Sequence, residues 1–266
     1  MKGCDIMFLS DKIPIIVNLP LTIEYADIYF LHDIHYGSEL FNEKKWKKLK
    51  NIILDDDNAY VCVVGDVLEN AIPSSKHCNV FSQTHSPAEQ KEWAIQQFKD
   101  LAPKIIAVVP GNHEHNRTTK VSGMYPLYDC CLLAGIGDKY RDTMAFIDIA
   151  VGKYRGRGTR QTHYFGQIQH NAKDAKNYHS SDYTDGIDFF ANGHDHEVKD
   201  KPRAKLVFDP HNKVIYKRNI ECINCGSFCV FGGYGAKGAY RPQSDKLYKL
   251  RLFANEKRME TFGFYV

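Results

Sequence analysis

The alternation of short apolar runs with amphipathic stretches in the first half of the chain most constrains its fold. Ala26–His32, Tyr60–Val64 and Ile105–Val109 are apolar runs of strand length. Between them, Asn42–Leu54 has apolar residues at helical spacing, and Ala88–Leu101 forms a second helical stretch. Strands that alternate with helices predict an α/β fold, in which helices cover a sheet.

The second half of the chain has strand patterns with few helical patterns between them. Such a succession predicts an antiparallel sheet that packs against the first one. The predicted strands are Met144–Val151, Gln161–Phe165, Asp188–Ala191, Lys205–Phe208, Val214–Lys217 and Leu247–Leu252.

The bulk properties indicate a globular protein with a sizeable core. Hydrophobic residues make up 43% of the 266 residues and charged residues 25%. No repeat, low-complexity tract or linker divides the chain, so we predict one domain over residues 1–266. The net charge of +3 is too small to indicate nucleic-acid binding by itself.

The eight cysteines are unevenly spaced and no secretory signal is evident, which favours reduced thiols in the cytoplasm. No run approaches the ~20 apolar residues of a membrane span, so we expect no membrane interaction. Cys222, Cys225 and Cys229 are close together, but a structural zinc needs four ligands. We therefore predict that they are buried free thiols and leave their role open.

Each early strand is followed by residues of the types that bind metals. Asp33 and His35 follow the first strand, Asp66 the second, and Asn112 with His113 the third. Binding crevices of open α/β sheets lie at the carboxyl ends of the strands, so these side chains should converge. The later candidates are His163, His194 and His196.

Two carboxylates, one amide and four imidazoles are more ligands than one metal needs. A pair of divalent ions ~3.5–4 Å apart can clamp the attacking and leaving oxygens of a displacement at phosphorus. A carboxylate must bridge such ions, and Asp66 is the predicted bridge. Mixed nitrogen and oxygen ligands indicate two divalent transition metals, with manganese as the first candidate and iron or zinc as alternatives.

The motifs around these residues resemble those of the calcineurin-like metallophosphoesterases, in the same order and over residues 27–197. The resemblance implies two mixed β-sheets packed face to face and flanked by helices. The sequence itself adds further strands and a glycine- and aromatic-rich loop in residues 198–266. The matching motifs are Asp33-Ile34-His35, Gly65-Asp66-Val67-Leu68-Glu69-Asn70, Gly111-Asn112-His113-Glu114, His163 and Gly193-His194-Asp195-His196.

The resemblance also implies roles for individual residues. His113 would lie beside the metals, contact the phosphate and protonate the leaving oxygen. Among three nearby histidines, His163 is the predicted ligand over His170 and His179, because of its position at the predicted strand Gln161–Phe165 and before Gly166. One metal would be held by Asp33, His35, Asp66 and His196, and the other by Asp66, Asn112, His163 and His194.

Other residues have two interpretations each. Arg155 and Arg157 lie between glycines and could hold a second phosphate, or belong to an exposed hairpin turn. Tyr234 could stack on a base or sugar, or cover the sheet. Glu69 is either a partner that orients a histidine ligand or a loop carboxylate. His32 alternates with Asp33 on the strand, so we predict a packed or surface histidine rather than a ligand.

The predicted function is hydrolysis of a phosphodiester by a hydroxide activated at two metals. The alternatives are a phosphomonoesterase, or a nuclease that acts on DNA or RNA. Nuclease relatives carry additional domains after the catalytic core, and only 70 residues follow His196 here. A non-catalytic binding module on the same fold is disfavoured because every expected ligand is present. The expected partner is a phosphate ester, including a nucleotide or nucleic acid, and the oligomeric state is left open.

Overall fold

The computed structural model describes residues 11–73, 75, 80–156, 158–173, 181–182, 184–232 and 244–266. In this part of the chain, strands form two mixed sheets that pack against each other. The strands are β1 (Ile15–Asn18), β2 (Tyr25–Leu31), β3 (Ala59–Val64), β4 (Ile105–Val109), β5 (Met144–Val151), β6 (Thr162–Gln169), β7 (Phe189–Asn192), β8 (Val198–Asp200), β9 (Arg203–Asp209), β10 (Val214–Cys225), β11 (Lys246–Phe253) and β12 (Met259–Tyr265).

Three helices of eight or more residues are described, and all of them pack on one face of the five-stranded sheet. The capping box between Ser86 and Glu89 begins the second of these helices, with Pro87 in its first turn. Short helical turns lie at Val80–Ser82, Gly137–Lys139 and Tyr154–Gly156, and three helical pieces, Asn112–Glu114, His115–Thr119 and Lys120–Ser122, follow β4. The three longer helices are α1 (Glu43–Asp55), α2 (Pro87–Leu101) and α3 (Pro126–Leu133).

The five-stranded sheet has the order β12-β11-β2-β3-β4. Strands β2, β3 and β4 are parallel, whereas β11 is antiparallel to both of its neighbours. One face of this sheet contacts the helices through residues such as Trp46 and Phe98. The other face contacts the second sheet through a core that includes Phe30 and Tyr164. The predicted sandwich of two mixed sheets with flanking helices is confirmed.

The second sheet has the order β1-β5-β6-β7-β10-β8, with β9 paired to β10. Its strands β6, β7 and β10 are parallel, and β5 is antiparallel to β6. The prediction of a purely antiparallel second sheet is therefore wrong. The predicted strand at Leu247–Leu252 also belongs to the first sheet, as β11. An apolar pattern indicates that a segment is a strand but does not specify its direction or its partner.

The sheet topology brings the carboxyl ends of six strands to one edge of the molecule. Strands β2, β3 and β4 end there because they are parallel, and the parallel strands β6, β7 and β10 of the second sheet end beside them. Hydrogen bonds continue past the strands, from the Asp33 amide to the Gly65 carbonyl (3.1 Å) and from the His35 amide to the Asp66 carbonyl (3.0 Å). These bonds fix the loops that carry the candidate ligands.

Candidate metal centre

Three groups of side chains at this edge have donor atoms within 4.8 Å of one another. Six of the seven predicted ligands lie here, in these groups or in contact with them; Asn112 Oδ1 is 2.6 Å from His194 Nδ1. The groups are Asp33 with His35 and His196, Asp66 with His170 and His194, and His35 with Glu69 and His113.

The two oxygens of the Asp33 carboxylate have different surroundings. Oδ2 lies 2.6 Å from His32 Nδ1 and accepts a hydrogen bond from the His194 amide (2.9 Å). Oδ1 is buried and has no hydrogen-bond partner. It lies 3.5 Å from His196 Nε2 and 3.7 Å from His35 Nε2. Oδ2 thus has two hydrogen-bond donors, whereas Oδ1 has none and faces the ring nitrogens of the two histidines.

Asp66 follows the same scheme. Its Oδ1 accepts a hydrogen bond from the His113 amide (2.7 Å), and its Oδ2 lies 3.2 Å from His170 Nε2. The ring of His170 is oriented by its Nδ1, which donates to the Val64 carbonyl (2.7 Å). In the neutral ring, Nε2 then has a free lone pair, and this buried atom has no hydrogen-bond donor.

The structure does not bring His163 to the centre, and His170 occupies the place expected for it. His163 is at the start of β6, where it pairs with Ala150, and its Nδ1 lies 2.8 Å from Asp148 Oδ1. The seven residues from His163 to Gln169 span ~20 Å along the strand. The predicted strand ended at Phe165, but β6 continues to Gln169. The rule that ligands follow strand ends, applied to the true end, would have selected His170.

The predicted substrate-binding residues do not lie at the centre either, as far as the structure describes them. Arg155 follows β5, which is antiparallel to β6, so it lies at the opposite end of the sheets from Asp33. Its amide donates to the Asn255 carbonyl (2.8 Å), and its guanidinium lies over the ring of Tyr154. This side chain is exposed, in agreement with the turn interpretation. Arg157 and Tyr234 lie outside the described residues.

His113, the predicted catalytic residue, lies beside the candidate ligands. Its Nδ1 is 3.0 Å from the carbonyl oxygen of Glu69 and its Nε2 is 3.7 Å from Asp66 Oδ2. Arg117, one helical turn later, donates to the same Glu69 carbonyl and to its carboxylate. Glu69 Oε2 also lies 3.3 Å from His35 Nδ1. Glu69 therefore agrees with the interpretation of a carboxylate that orients a histidine.

Glu114 is a buried carboxylate that sequence analysis missed. It accepts backbone hydrogen bonds from Asp66 (3.0 Å), Leu68 (2.9 Å) and Gly111 (2.9 Å). It thereby joins the loop after β3 to the loop after β4. A side chain at Gly111 would place its Cβ 2.1 Å from Asp66 Oδ1, so the close approach of these loops requires glycine.

Backbone strain is concentrated at the centre. Eight non-glycine residues of the described part of the chain have positive φ, and five of them are candidate ligands. Left-handed backbone is unfavourable for such residues and persists where the surrounding structure enforces it, often at functional sites. The five are Asp33 (φ 50°), His35 (54°), Asp66 (50°), His194 (98°) and His196 (58°).

The buried charges oppose one another. Burial alone would raise the pKa of Asp33 and of Asp66, but the nearby histidines outweigh it and hold both pKa values well below their usual range. Burial would lower the pKa of His170, but Asp66 and Asp33 raise it to about 9. Burial lowers the pKa of His196 to about 4 and of His113 to about 3. The two carboxylates thus favour any positive charge placed between them.

These donors fit divalent transition metals. Carboxylate oxygen, amide oxygen and imidazole nitrogen suit manganese, iron and zinc, and two of the donor atoms are buried without a partner. The structure therefore contains clusters that could bind metals.

Comparisons with known proteins find only distantly similar solved structures. No family model and no curated protein matches the sequence. Similar solved structures include a conserved uncharacterized protein of Streptococcus pneumoniae TIGR4, a predicted phosphoesterase (12% identity, TM-score 0.38, covering 91% of this chain and 100% of that one). Vps29 of Chaetomium thermophilum (12%, 0.39, 90% and 95%) and a protein of Thermotoga maritima (13%, 0.34, 90% and 99%) are also similar.

TM-scores below 0.5 at this identity carry no argument about function. The sheet order and the converging strand ends nevertheless agree with the architecture that the motifs implied. The resemblance to the calcineurin-like metallophosphoesterases rests on the sequence motifs.

Two other predictions concern cysteines and membranes. Cys222 and Cys225 are buried free thiols, and Cys229 is a partly buried one. No helix in the described residues is long and apolar enough to cross a membrane. The cytoplasmic location stays a prediction.

Proposed function

We propose that this protein is a hydrolase that cleaves phosphate esters at a pair of divalent transition metals, with phosphodiesters as its preferred substrates. One observation supports this most. Asp33 Oδ1 and His170 Nε2 lie 3.8 Å apart, both buried and both without a hydrogen-bond partner. Two buried ligand atoms of this kind need positive charge close by. Without metals a proton on His170, whose pKa is raised to about 9, would supply it, and with metals bound the ions of the two ligand sets would supply it.

We assign the ligands as two sets that share one carboxylate. Bound metals would stabilise charge on the phosphoryl oxygens and lower the pKa of a water molecule. His170 replaces His163 in the assignment. The first set is Asp33, His35, His196 and Asp66, and the second set is Asp66, Asn112, His170 and His194.

As general acid, His113 would donate a proton from its Nε2 to the leaving oxygen. Burial lowers the pKa of His113 to about 3, so this role requires that the negative charge of a bound phosphate ester raises that pKa. Its Nδ1 faces the Glu69 carbonyl at 3.0 Å, and a carbonyl oxygen can only accept a hydrogen bond, so Nδ1 carries the proton there. This bond leaves Nε2 free of the Glu69 carbonyl and 3.7 Å from Asp66 Oδ2. Arg117, held by the same carbonyl, lies next to it.

The preference for a diester over a monoester follows from charge. A monoester carries about −1.5 to −2 at neutral pH, whereas a diester carries a single charge. Among the described residues that contact His113 or Glu69, Arg117 is the only arginine, and Glu69 already binds its guanidinium. The centre therefore offers little positive charge beyond the metals.

The proposal is tested with purified protein and manganese, iron or zinc. Bis-p-nitrophenyl phosphate, p-nitrophenyl phosphate, 2′,3′-cyclic nucleotides and single-stranded DNA separate the diesterase, monoesterase and nuclease alternatives. We expect hydrolysis that a chelator abolishes and added metal restores, fastest with the diesters. A protein that hydrolyses none of these substrates with any of the metals would favour the non-catalytic binding module.

A further inference from the structure

His32 is a buried histidine, 1% exposed, that directly precedes Asp33. Its Nε2 accepts a hydrogen bond from the backbone amide of Cys225 (2.8 Å). Since an amide N–H can only donate, Nε2 carries no proton, and the ring proton is on Nδ1. Nδ1 lies 2.6 Å from Asp33 Oδ2, so it donates to that oxygen. The Cys225 amide thus selects the tautomer that holds Asp33.

This hydrogen bond distinguishes the two oxygens of Asp33. With the His194 amide, His32 gives Oδ2 two donors, at 2.6 and 2.9 Å. Oδ1 has none and faces three histidine nitrogens, at 3.5 to 3.8 Å. If the Nδ1 donor were lost, Oδ2 would keep the hydrogen bond from the His194 amide but lose the one from His32.

We propose that His32 is a positioning residue of the metal centre, which fixes Asp33 so that only Oδ1 is presented to a cation. The inference rests on the proposed function, because it assumes that Asp33 is a ligand. Residues that hydrogen-bond to a metal ligand without contacting the metal typically contribute ~10–100-fold to metal affinity.

His32 also connects the two sheets, and this second role must be separated from the first. Cys225 is the last residue of β10 in the second sheet, whereas Asp33 follows β2 in the first. Loss of His32 could therefore weaken the packing of the sheets at this edge. A substitution that removes only one of its two hydrogen bonds distinguishes positioning from packing.

Two amide substitutions divide the roles of the ring. In His32→Asn, the amide nitrogen takes the place of Nδ1 and can still donate to Asp33, but the bond from Cys225 is lost. In His32→Gln, the longer side chain can accept from the Cys225 amide, but the donor to Asp33 is lost. His163→Gln is a matched control, since His163 makes the same kind of Nδ1 contact with Asp148 (2.8 Å) far from the centre.

The measurement is Mn²⁺ and Zn²⁺ affinity of the full chain, by competition with a chromogenic chelator, alongside thermal unfolding of the metal-free protein. We expect His32→Gln to weaken affinity ~10–100-fold, and His32→Asn and His163→Gln to stay within about threefold of the wild type. Equal affinities of His32→Gln and wild type would overturn the inference. So would affinities that follow the unfolding temperature rather than the retained donor. A wild-type protein that binds neither metal would instead overturn the proposed function.

Discussion

His163 and His170 belong to opposite ends of one strand, and their surroundings show what makes a histidine a candidate ligand. Both have an aspartate nearby. The side chain of His163 is 46% exposed and lies near one carboxylate, that of Asp148, whereas the side chain of His170 is fully buried and lies near two, those of Asp33 and Asp66. The difference arises because β6 is parallel to β7, so only its carboxyl end meets the loops after β2 and β3. A histidine near one carboxylate is therefore weak evidence, and convergence of several strand ends is strong evidence.

The strongest test of this comparison removes the negative charge of Asp66, at the edge where the strand ends meet. Asp66→Asn keeps an acceptor for the His113 amide but removes the negative charge next to both ligand sets. We expect metal content to fall from two to below one per chain, and diester hydrolysis to fall by more than the ~10–100-fold typical of outer partners. Elemental analysis after gel filtration measures the metal content. Asp33→Asn should lose one metal, and equal, mild losses in both variants would contradict the bridging role of Asp66.

Replacing His163 and His170 one at a time tests the comparison directly. His170→Asn removes one ligand of the second set, so we expect one bound metal instead of two and a large loss of hydrolysis. His163→Asn should keep both metals and change the free energy of unfolding by no more than about 0.5 kcal/mol, as is usual for surface sites. Metal content and urea unfolding of both proteins give the answer. Loss of a metal in His163→Asn alone would restore the original assignment.

His113 is expected to matter for the reaction but not for metal binding. His113→Asn should retain two metals and lose ~10²–10⁴-fold in hydrolysis of an alkyl or nucleoside diester, the usual contribution of a general acid. With a p-nitrophenyl ester the leaving oxygen needs little protonation, so the loss should shrink. Similar losses on both substrates would indicate that His113 stabilises phosphoryl charge instead. Unchanged rates on both would remove it from the mechanism.

The smallest effect is expected from substitution of Glu114, which joins the loops after β3 and β4 through backbone hydrogen bonds. Glu114→Gln replaces one acceptor oxygen with an amide group that cannot accept from a backbone N–H, so we expect a loss of about 1–3 kcal/mol in unfolding free energy. Glu92→Gln, at an exposed position of α2, is the control. An unchanged midpoint in urea for Glu114→Gln would show that these hydrogen bonds do not stabilise the fold.

The sequence alone determined the elements whose signals are local. The bounds of β4 and β5 are as predicted, since apolar runs with abrupt polar ends mark buried strands. Asp33, Asp66 and Asn112 could be placed together because each follows a strand of a parallel sheet, whose carboxyl ends share one edge. The motif resemblance added His194 and His196, and the structure places both at that edge.

Only the tertiary structure decided what depends on pairing between distant segments. The choice of His170 over His163 required the true end of β6 and its direction relative to β7. The roles of His32 and Glu114 required knowing which backbone amides approach them, and those amides lie 193 and up to 48 positions away in the chain. A side chain's type states which hydrogen bonds it can make. Which bonds it does make depends on neighbours that only the packing of the two sheets brings into contact.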